Sequence, residues 1–262
     1  MAIIGGSIAY NLLKRMAPRE AAAAAQAAPS ADSRLRHHFG DNFFDLIQGR
    51  TVIDFGCGPG LEAVEMARCG AAKVIGLDIQ TRLLEQASGM AEAHHVSDRC
   101  TFASTTDERA DIIVSKDAFE HFADPGAIIR SMASLIKADG FILASFGPTW
   151  LHPYGGHLFS VFPWAHLLFS ENSLIRWRSD FKTDGATRFC EVEGGLNQMT
   201  IRKFENIVDA GPCRLEWIDT VPIRGVRAFK HRSLREFGSS IVRCKMTIRG
   251  VDAGRTSTSK AR

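Results

Sequence analysis

From residue 51 onward, short apolar runs alternate with segments whose apolar residues recur every three or four positions, the signature of strands interleaved with amphipathic helices. "TVIDF" (51–55) and "KVIGLD" (73–78) read as strands, followed by helical segments over Leu61 to Cys69 and Thr81 to roughly Ala93. "CTFAS" reads as a third strand, and "ADIIVS" as a fourth buried on both faces. Asp124-Pro125 supplies an N-cap and a first-turn proline to a helix carrying Ile128, Ile129, Met132, Leu135 and Ile136, with Gly140 expected to close it. "GFILASF" is the next strand. The alternation then stops over 147–199 and resumes with Thr200 as N-cap of a helix bearing Ile201, Phe204, Ile207 and Val208, before two last strands in "RLEWIDTV" and "SIVRCKMTI". Strand and helix in turn, with strands this apolar, predict a doubly wound α/β fold built on a parallel sheet.

The 147–199 stretch is too long for a structureless loop, so short helices are expected within it, from Pro163 and again from Asn172. Ahead of the core, Ile4, Ile8, Leu12 and Met16 form one helical stripe, expected either to pack on the domain or to lie loosely on a membrane surface. "AAAAAQAAPSADS" (21–33) is a low-complexity connector, helix-prone until Pro29. The expected organisation is therefore an N-terminal helix and connector (1–38), a core (39–146), a lid insertion (147–199), the C-terminal part of the core (200–250) and a tail (251–262).

With 262 residues, 45% of them hydrophobic, the chain has enough material for one substantial core. A net charge of +3, with basic residues scattered apart from Arg224 to Arg235 and the tail, gives no support to a nucleic-acid partner. Six cysteines without a CxxC pair read as reduced thiols of a cytoplasmic protein and speak against zinc. The basic pair Lys14-Arg15 follows the first apolar stretch, the reverse of a secretory signal, and no apolar run reaches membrane-spanning length.

The chemistry gathers at "VIDFGCGPG", where Gly56, Gly58 and Gly60 follow the first strand. In a doubly wound sheet this loop is the usual ligand contact, glycine lets the main chain approach a ligand, and the start of the following helix favours an anionic group. Asp78, at the end of the second strand, is placed to accept both hydroxyls of a ribose. A nucleoside carrying an anionic group is implied. A dinucleotide fingerprint would need glycine where Leu61 stands, which disfavours an NAD-dependent oxidoreductase.

With "VIDFGCGPG", "GLDIQ" and "DIIVSKDAFEHFADP" in this order, the chain resembles the class I S-adenosylmethionine-dependent methyltransferases over about Phe39 to Ser145. The resemblance implies a Rossmann-like, mostly parallel seven-stranded sheet with helices on both faces and an antiparallel last strand, and S-adenosyl-L-methionine as cofactor. It places Asp54, Gly56 and the adjoining Cys57 at the amino-acid end of that ligand, with Gly58 and Gly60 making room, Asp78 on the ribose and Ile79 on the adenine. Thr105 or Asp107 would meet the adenine amine, while Ser115 and Lys116 would border the sulfonium through their backbone.

Methyl transfer to an oxygen asks for orientation and, where the acceptor pKa is high, for a base. His121 in "AFEHF", and His152 and His157 in the insertion, are the candidates, with a purely structural role open for the latter two. His37-His38 and His94-His95 read as exposed pairs, and no His/Asp/Glu spacing marks a metal site. Trp150, Tyr154, Phe159, Phe162 and Trp164 form either an aromatic wall for substrate or the insertion's own small core. Within the resembling family, the nucleobase-amine enzymes carry an N/D-P-P-Y/F motif where this chain has "SKDAF". The expected acceptor is therefore small or medium-sized, with a hydroxyl on a glycan, lipid-linked precursor or secondary metabolite. A noncatalytic binding or partner subunit of the same fold is the alternative.

Overall fold

A computed structural model describes residues 3–16, 34–192 and 194–250 of the chain. The connector at 21–33 and the tail beyond 250 lie outside the described residues. Seven strands form one sheet: β1 (Thr51–Phe55), β2 (Lys73–Leu77), β3 (Cys100–Ala103), β4 (Ala110–Lys116), β5 (Ile136–Phe146), β6 (Cys213–Pro222) and β7 (Ser239–Ile248), in the spatial order β3-β2-β1-β4-β5-β7-β6. The pairs β1–β2, β1–β4, β2–β3 and β4–β5 are parallel, and β7 runs antiparallel to both β5 and β6. The strand order reverses between β1 and β4, so a crevice opens at the carboxyl ends of those two strands, where ligands bind in sheets of this type.

Helices cover both faces, and the central strands β1 and β4 are buried on both. One layer is built on Ile53, Ile113 and Ile142 with Ile129, Met132 and Phe204; the other on Val52, Val74 and Ile112 with Leu35, Phe43 and Met66. The helices of the core are α2 (Arg34–Phe39), α3 (Phe43–Ile47), α4 (Leu61–Arg68), α5 (Thr81–Ala93), α6 (Pro125–Leu135) and α9 (Ile201–Asp209). The expected caps form: the Asp124 side chain accepts from the amide of Ala127, and Thr200 from that of Lys203. A further cap comes from α10 (Arg235–Gly238), whose Glu236 accepts the amides of Ile201 and Arg202 at 2.9 and 2.8 Å.

Two local expectations are corrected. α6 ends at Leu135 rather than near Gly140, because Ile136 already pairs with Ala110 in the sheet. Gly140 lies inside β5, where an added Cβ would sit 2.7 Å from the carbonyl oxygen of Asp111. His38 is buried, with its Nδ1 2.8 Å from Ser145 Oγ, whereas His37 and the pair His94-His95 are exposed as expected.

The insertion holds two short helices, α7 (Ala165–Leu168) and α8 (Glu171–Arg178), around a core of its own that includes Phe159, Phe169, Leu174 and Trp177. The N-terminal helix α1 (Gly6–Met16) joins this insertion through buried Ala9 and Leu13, with the Tyr10 hydroxyl donating to Asp180 at 2.9 Å. Of the expected stripe, Ile4 lies ahead of the helix and packs on the insertion's core beside Phe169, whereas Ile8, Leu12 and Met16 face solvent, with Ile8 78% exposed. No helix among the described residues is long and apolar enough to cross a membrane.

Candidate active site

The loop after β1 turns on three glycines at positive φ, 85° at Gly56, 51° at Gly58 and 83° at Gly60. Its shape is held from β2: the amides of Gly56 and Cys57 both donate to the Leu77 carbonyl, and that of Gly58 donates to Asp78 Oδ2 at 3.0 Å. Asp78 Oδ1 accepts the amide of Gln80 at 2.9 Å, so the carboxylate is fixed in place with lone pairs to spare. The glycines serve different ends. At Gly60 a Cβ would lie 2.6 Å from that of Ala87, so glycine there lets α4 pack on α5; at Gly58 it would meet nothing within 4 Å.

Asp54 is buried, its Oδ2 has no partner, and burial, reinforced by Glu62, raises its carboxyl to about 8. Burial likewise pushes the Cys57 thiol up, aided by the charge of Asp54, which removes it as a nucleophile. Ile79 is 91% exposed beside the crevice, and Thr105 is exposed in the loop after β3. Across from the glycines, Ser115 spends its hydroxyl on the Phe55 carbonyl at 3.0 Å, tying β4 to β1. The Lys116 side chain spans Asp117 at 2.7 Å and Glu62 at 3.2 Å.

The segment after β4 carries the most densely built group. Phe119 packs on Phe146 and Phe204, while the Asn197 amide donates to the carbonyls of Phe119 (2.6 Å) and Phe122 (2.8 Å). Between these anchors stand Glu120 and His121. Glu120 is buried, with Oε1 accepting the Gly147 amide and Oε2 unpartnered. His121 Nδ1 lies 2.8 Å from the Gly195 carbonyl; a carbonyl only accepts, so Nδ1 carries a hydrogen, and in the neutral ring Nε2 holds the lone pair.

His157 reaches this group from the insertion. Its ring is edge-on to His121 with centroids 5.4 Å apart, its Nε2 is buried and unpartnered, and one donor atom each from Glu120, His121 and His157 falls within 4.8 Å of the others. Burial, and secondarily His121, lowers the His157 pKa to about 4. His152 is not part of this group. It is buried elsewhere in the insertion, where its Nδ1 accepts the Tyr154 amide at 3.1 Å. His166, which sequence reasoning did not single out, ties the insertion together through Ser160 Oγ (2.9 Å) and the Trp150 carbonyl (2.7 Å). Of the five aromatic residues expected to line a wall, Phe159 is buried in the insertion's core with Trp150 and Phe162 packed against it, and Tyr154 and Trp164 are exposed. Glu120, Asn197 and the Gly194-Gly195 turn were also missed by sequence reasoning; the adjacency of Glu120 to His121 was the one signal that would have found any of them.

With this geometry in view, residues 23–210 match a family model described as a methyltransferase domain. The chain belongs to this methyltransferase family. The match agrees with the resemblance to the class I S-adenosylmethionine-dependent methyltransferases that the order of the chain's motifs carries. Over 118 residues it is 37% identical to the ubiquinone biosynthesis O-methyltransferase of Neisseria meningitidis serogroup C, which covers 42% of this chain and 49% of that protein. It is 32% identical over 105 residues to the ribosomal protein L11 methyltransferase of Enterobacter sp. (strain 638), covering 38% of this chain and 34% of the relative. The chain thus spans about half or less of the length of these relatives. Among solved structures, an S-adenosylmethionine-dependent methyltransferase from Mesorhizobium loti has a TM-score of 0.50 at 13% identity, covering 76% of this chain and 91% of that one. The mitomycin 7-O-methyltransferase MmcR has a TM-score of 0.52 at 14% identity, covering 91% and 60%. Both share the fold.

The crevice of this methyltransferase fits the cofactor on two counts. The backbone at Gly58 faces open space, and the unpartnered Asp54 Oδ2 is an acceptor of the kind an ammonium group completes.

Proposed function

We propose that this methyltransferase acts on a hydroxyl oxygen of a small or medium-sized acceptor with a hydrophobic or sugar-like face, such as a phenol, a glycan or a lipid-linked precursor. The carrying observation is the meeting of His157 from the insertion with Glu120 and His121 from the β4 segment. When bound, S-adenosylmethionine supplies an electrophilic methyl group whose leaving thioether is neutral, so no acid is needed for its departure. Binding, orientation and removal of the acceptor's proton fall to the chain. Asp54, Gly56, Cys57, Gly58 and Gly60 would hold the amino-acid end, Asp78 the ribose, and Ile79 with Thr105 the adenine; Ser115 and Lys116 would border the reacting end.

His157 is neutral at pH 7 and His121 turns its Nε2 lone pair away from Gly195, so either ring is competent to take a hydroxyl proton. The insertion would close over the acceptor as a lid, with Tyr154 and Trp164 offering exposed apolar rings. The name of the Neisseria relative supports oxygen as the acceptor atom. The apolar stripe that α1 turns outward supports contact with a membrane surface, which suits an acceptor carried in lipid.

The test is release of S-adenosylhomocysteine in the presence of phenols, glycans and prenylated phenols, the last both in detergent and in vesicles. Transfer to at least one hydroxyl compound, lowered about a hundredfold or more in His121→Ala or His157→Ala with cofactor affinity nearly unchanged, is the expected result. Intact cofactor binding with no transfer to any of them would favour the noncatalytic subunit instead.

A further inference from the structure

We propose that Glu120, His121 and His157 form a binding site for one divalent cation of the zinc, cobalt or manganese type, which takes up the acceptor's oxygen; that role for the ion rests on the hydroxyl-acceptor reading, whereas the ion site does not.

Three observations carry it. First, the donor set is two imidazole nitrogens and one carboxylate oxygen, within 4.8 Å of one another. This composition suits borderline divalent metals and leaves a coordination position open. In a tetrahedral site the donors stand about 3.4 Å apart, so the side chains need to close by at most about 1.4 Å. Second, each of two of these residues carries a ligand-type atom, Glu120 Oε2 and His157 Nε2, that is buried with no hydrogen-bond partner, and Glu120 is only 4% exposed. Buried polar atoms are rarely left unmet, and a shared cation meets both at once. Third, the surroundings orient the donors as ligand shells do. The Gly195 carbonyl fixes the hydrogen of His121 on Nδ1 and leaves Nε2 to bind, and the Gly147 amide holds Glu120 Oε1 so that Oε2 is free. The carbonyls of Phe119 and Phe122, gripped by Asn197, fix the backbone on either side.

The site lies at the end of β4, bordering the crevice. A hydroxyl oxygen bound to the ion would lose its proton more readily, the proton passing to solvent. The oxygen's electron pair then forms the bond to the methyl carbon as the carbon–sulfur pair returns to sulfur. In that arrangement the two histidines are ligands rather than proton acceptors.

The experiment uses the full chain, stripped with chelator and equilibrated separately with Zn²⁺, Mn²⁺ or Mg²⁺. Bound metal is then counted by mass spectrometry, and Co²⁺ absorption in the visible serves as a report on nitrogen ligation. The expected result is about one Zn²⁺ more per chain in the wild type than in His157→Ala, and affinity at least about tenfold weaker in Glu120→Gln, which keeps the Gly147 contact. Cofactor binding measured on the same samples reports that the variants are folded. His152→Asn, outside the group, should bind like the wild type. Equal Zn²⁺ stoichiometry and affinity in the wild type and in both ligand variants, or no metal bound by the wild type, overturns the site. Metal bound as expected without methylation of any hydroxyl compound would leave the site standing and remove the hydroxyl reading. Full-rate methylation by the stripped protein would remove the ion's part in the reaction.

Discussion

The carboxylate of Asp78 accepts the amide of Gly58 at 3.0 Å, so the residue just after β2 also sets the shape of the loop that follows β1. One side chain thus fixes the glycine loop while keeping acceptor capacity for a ligand's hydroxyls. Asp78→Ala removes two charge-assisted hydrogen bonds, to Gly58 and Gln80, together with any ribose contact. Such bonds are each worth about 1.5–3 kcal/mol, so cofactor affinity should fall by at least about tenfold. Asp78→Asn, which retains one acceptor oxygen, should fall between. Calorimetric titration decides it, and an unchanged dissociation constant in Asp78→Ala would remove the assignment.

Gly58 and Gly60 differ in what a methyl group would meet, so the same substitution should fail in different ways. At both positions the left-handed backbone costs alanine about 1–2 kcal/mol. Gly60→Ala adds a clash with Ala87, where overpacking costs a further 1–3 kcal/mol or so, and should appear chiefly as lost stability in denaturant titration. Gly58→Ala projects into open space and should fold with only the backbone cost, yet bind cofactor much more weakly. A Gly58→Ala protein with wild-type affinity would mean that the ligand does not approach the main chain there.

Asp54 makes cofactor binding dependent on pH. Its folded-state pKa of about 8 lies above the ordinary 3.8 because of burial and Glu62. The ligand-free protein favours the protonated carboxyl, so this contribution to stability is fully present below about pH 4 and is lost as pH rises through 8. A ligand ammonium beside Asp54 favours the ionised form and expels the proton. Affinity for S-adenosylmethionine should therefore rise between about pH 6 and 8, with binding enthalpies that differ among buffers of different ionisation heat. Asp54→Asn should flatten the slope attributable to this group; a slope unaltered by the substitution would place the titrating group elsewhere.

The parts of this fold that were legible in the sequence are those whose cause is local. Asp124-Pro125 and Thr200 start helices by bonding amides three residues away, and the three glycines mark positive φ directly. Gly140 was misread because its reason is a close approach to Asp111 in the neighbouring strand, which no local pattern records. The pair His37-His38 looked symmetric until α2 packed on the sheet and buried one ring against Ser145. On α1, Ile8, Leu12 and Met16 together outweigh Ala9 and Leu13 in hydrophobicity, yet Ala9 and Leu13 face the insertion and the other three solvent. His157 joins His121 only through the aperiodic 147–199 stretch, and the Asn197 clamp comes from its far end. Spacing in the chain carries no trace of either.

His152 and His166 provide the contrast that separates building the lid from taking part in chemistry. His166 bridges Ser160 and the Trp150 carbonyl in a buried position, so His166→Ala leaves that carbonyl without its partner and Ser160 Oγ with the Gly156 amide alone, and a loss of about 1–3 kcal/mol in stability is expected with impaired turnover as a consequence. His152 uses Nδ1 only to accept the Tyr154 amide, a bond that an asparagine oxygen reproduces. His152→Asn should therefore keep turnover within about threefold of the wild type while His152→Ala melts earlier, since an amide left unpaired costs about 1–3 kcal/mol. Thermal melts and initial rates on the three variants form the check. A His152→Asn protein as stable as the wild type but without turnover would move His152 from the lid's framework into the reaction itself.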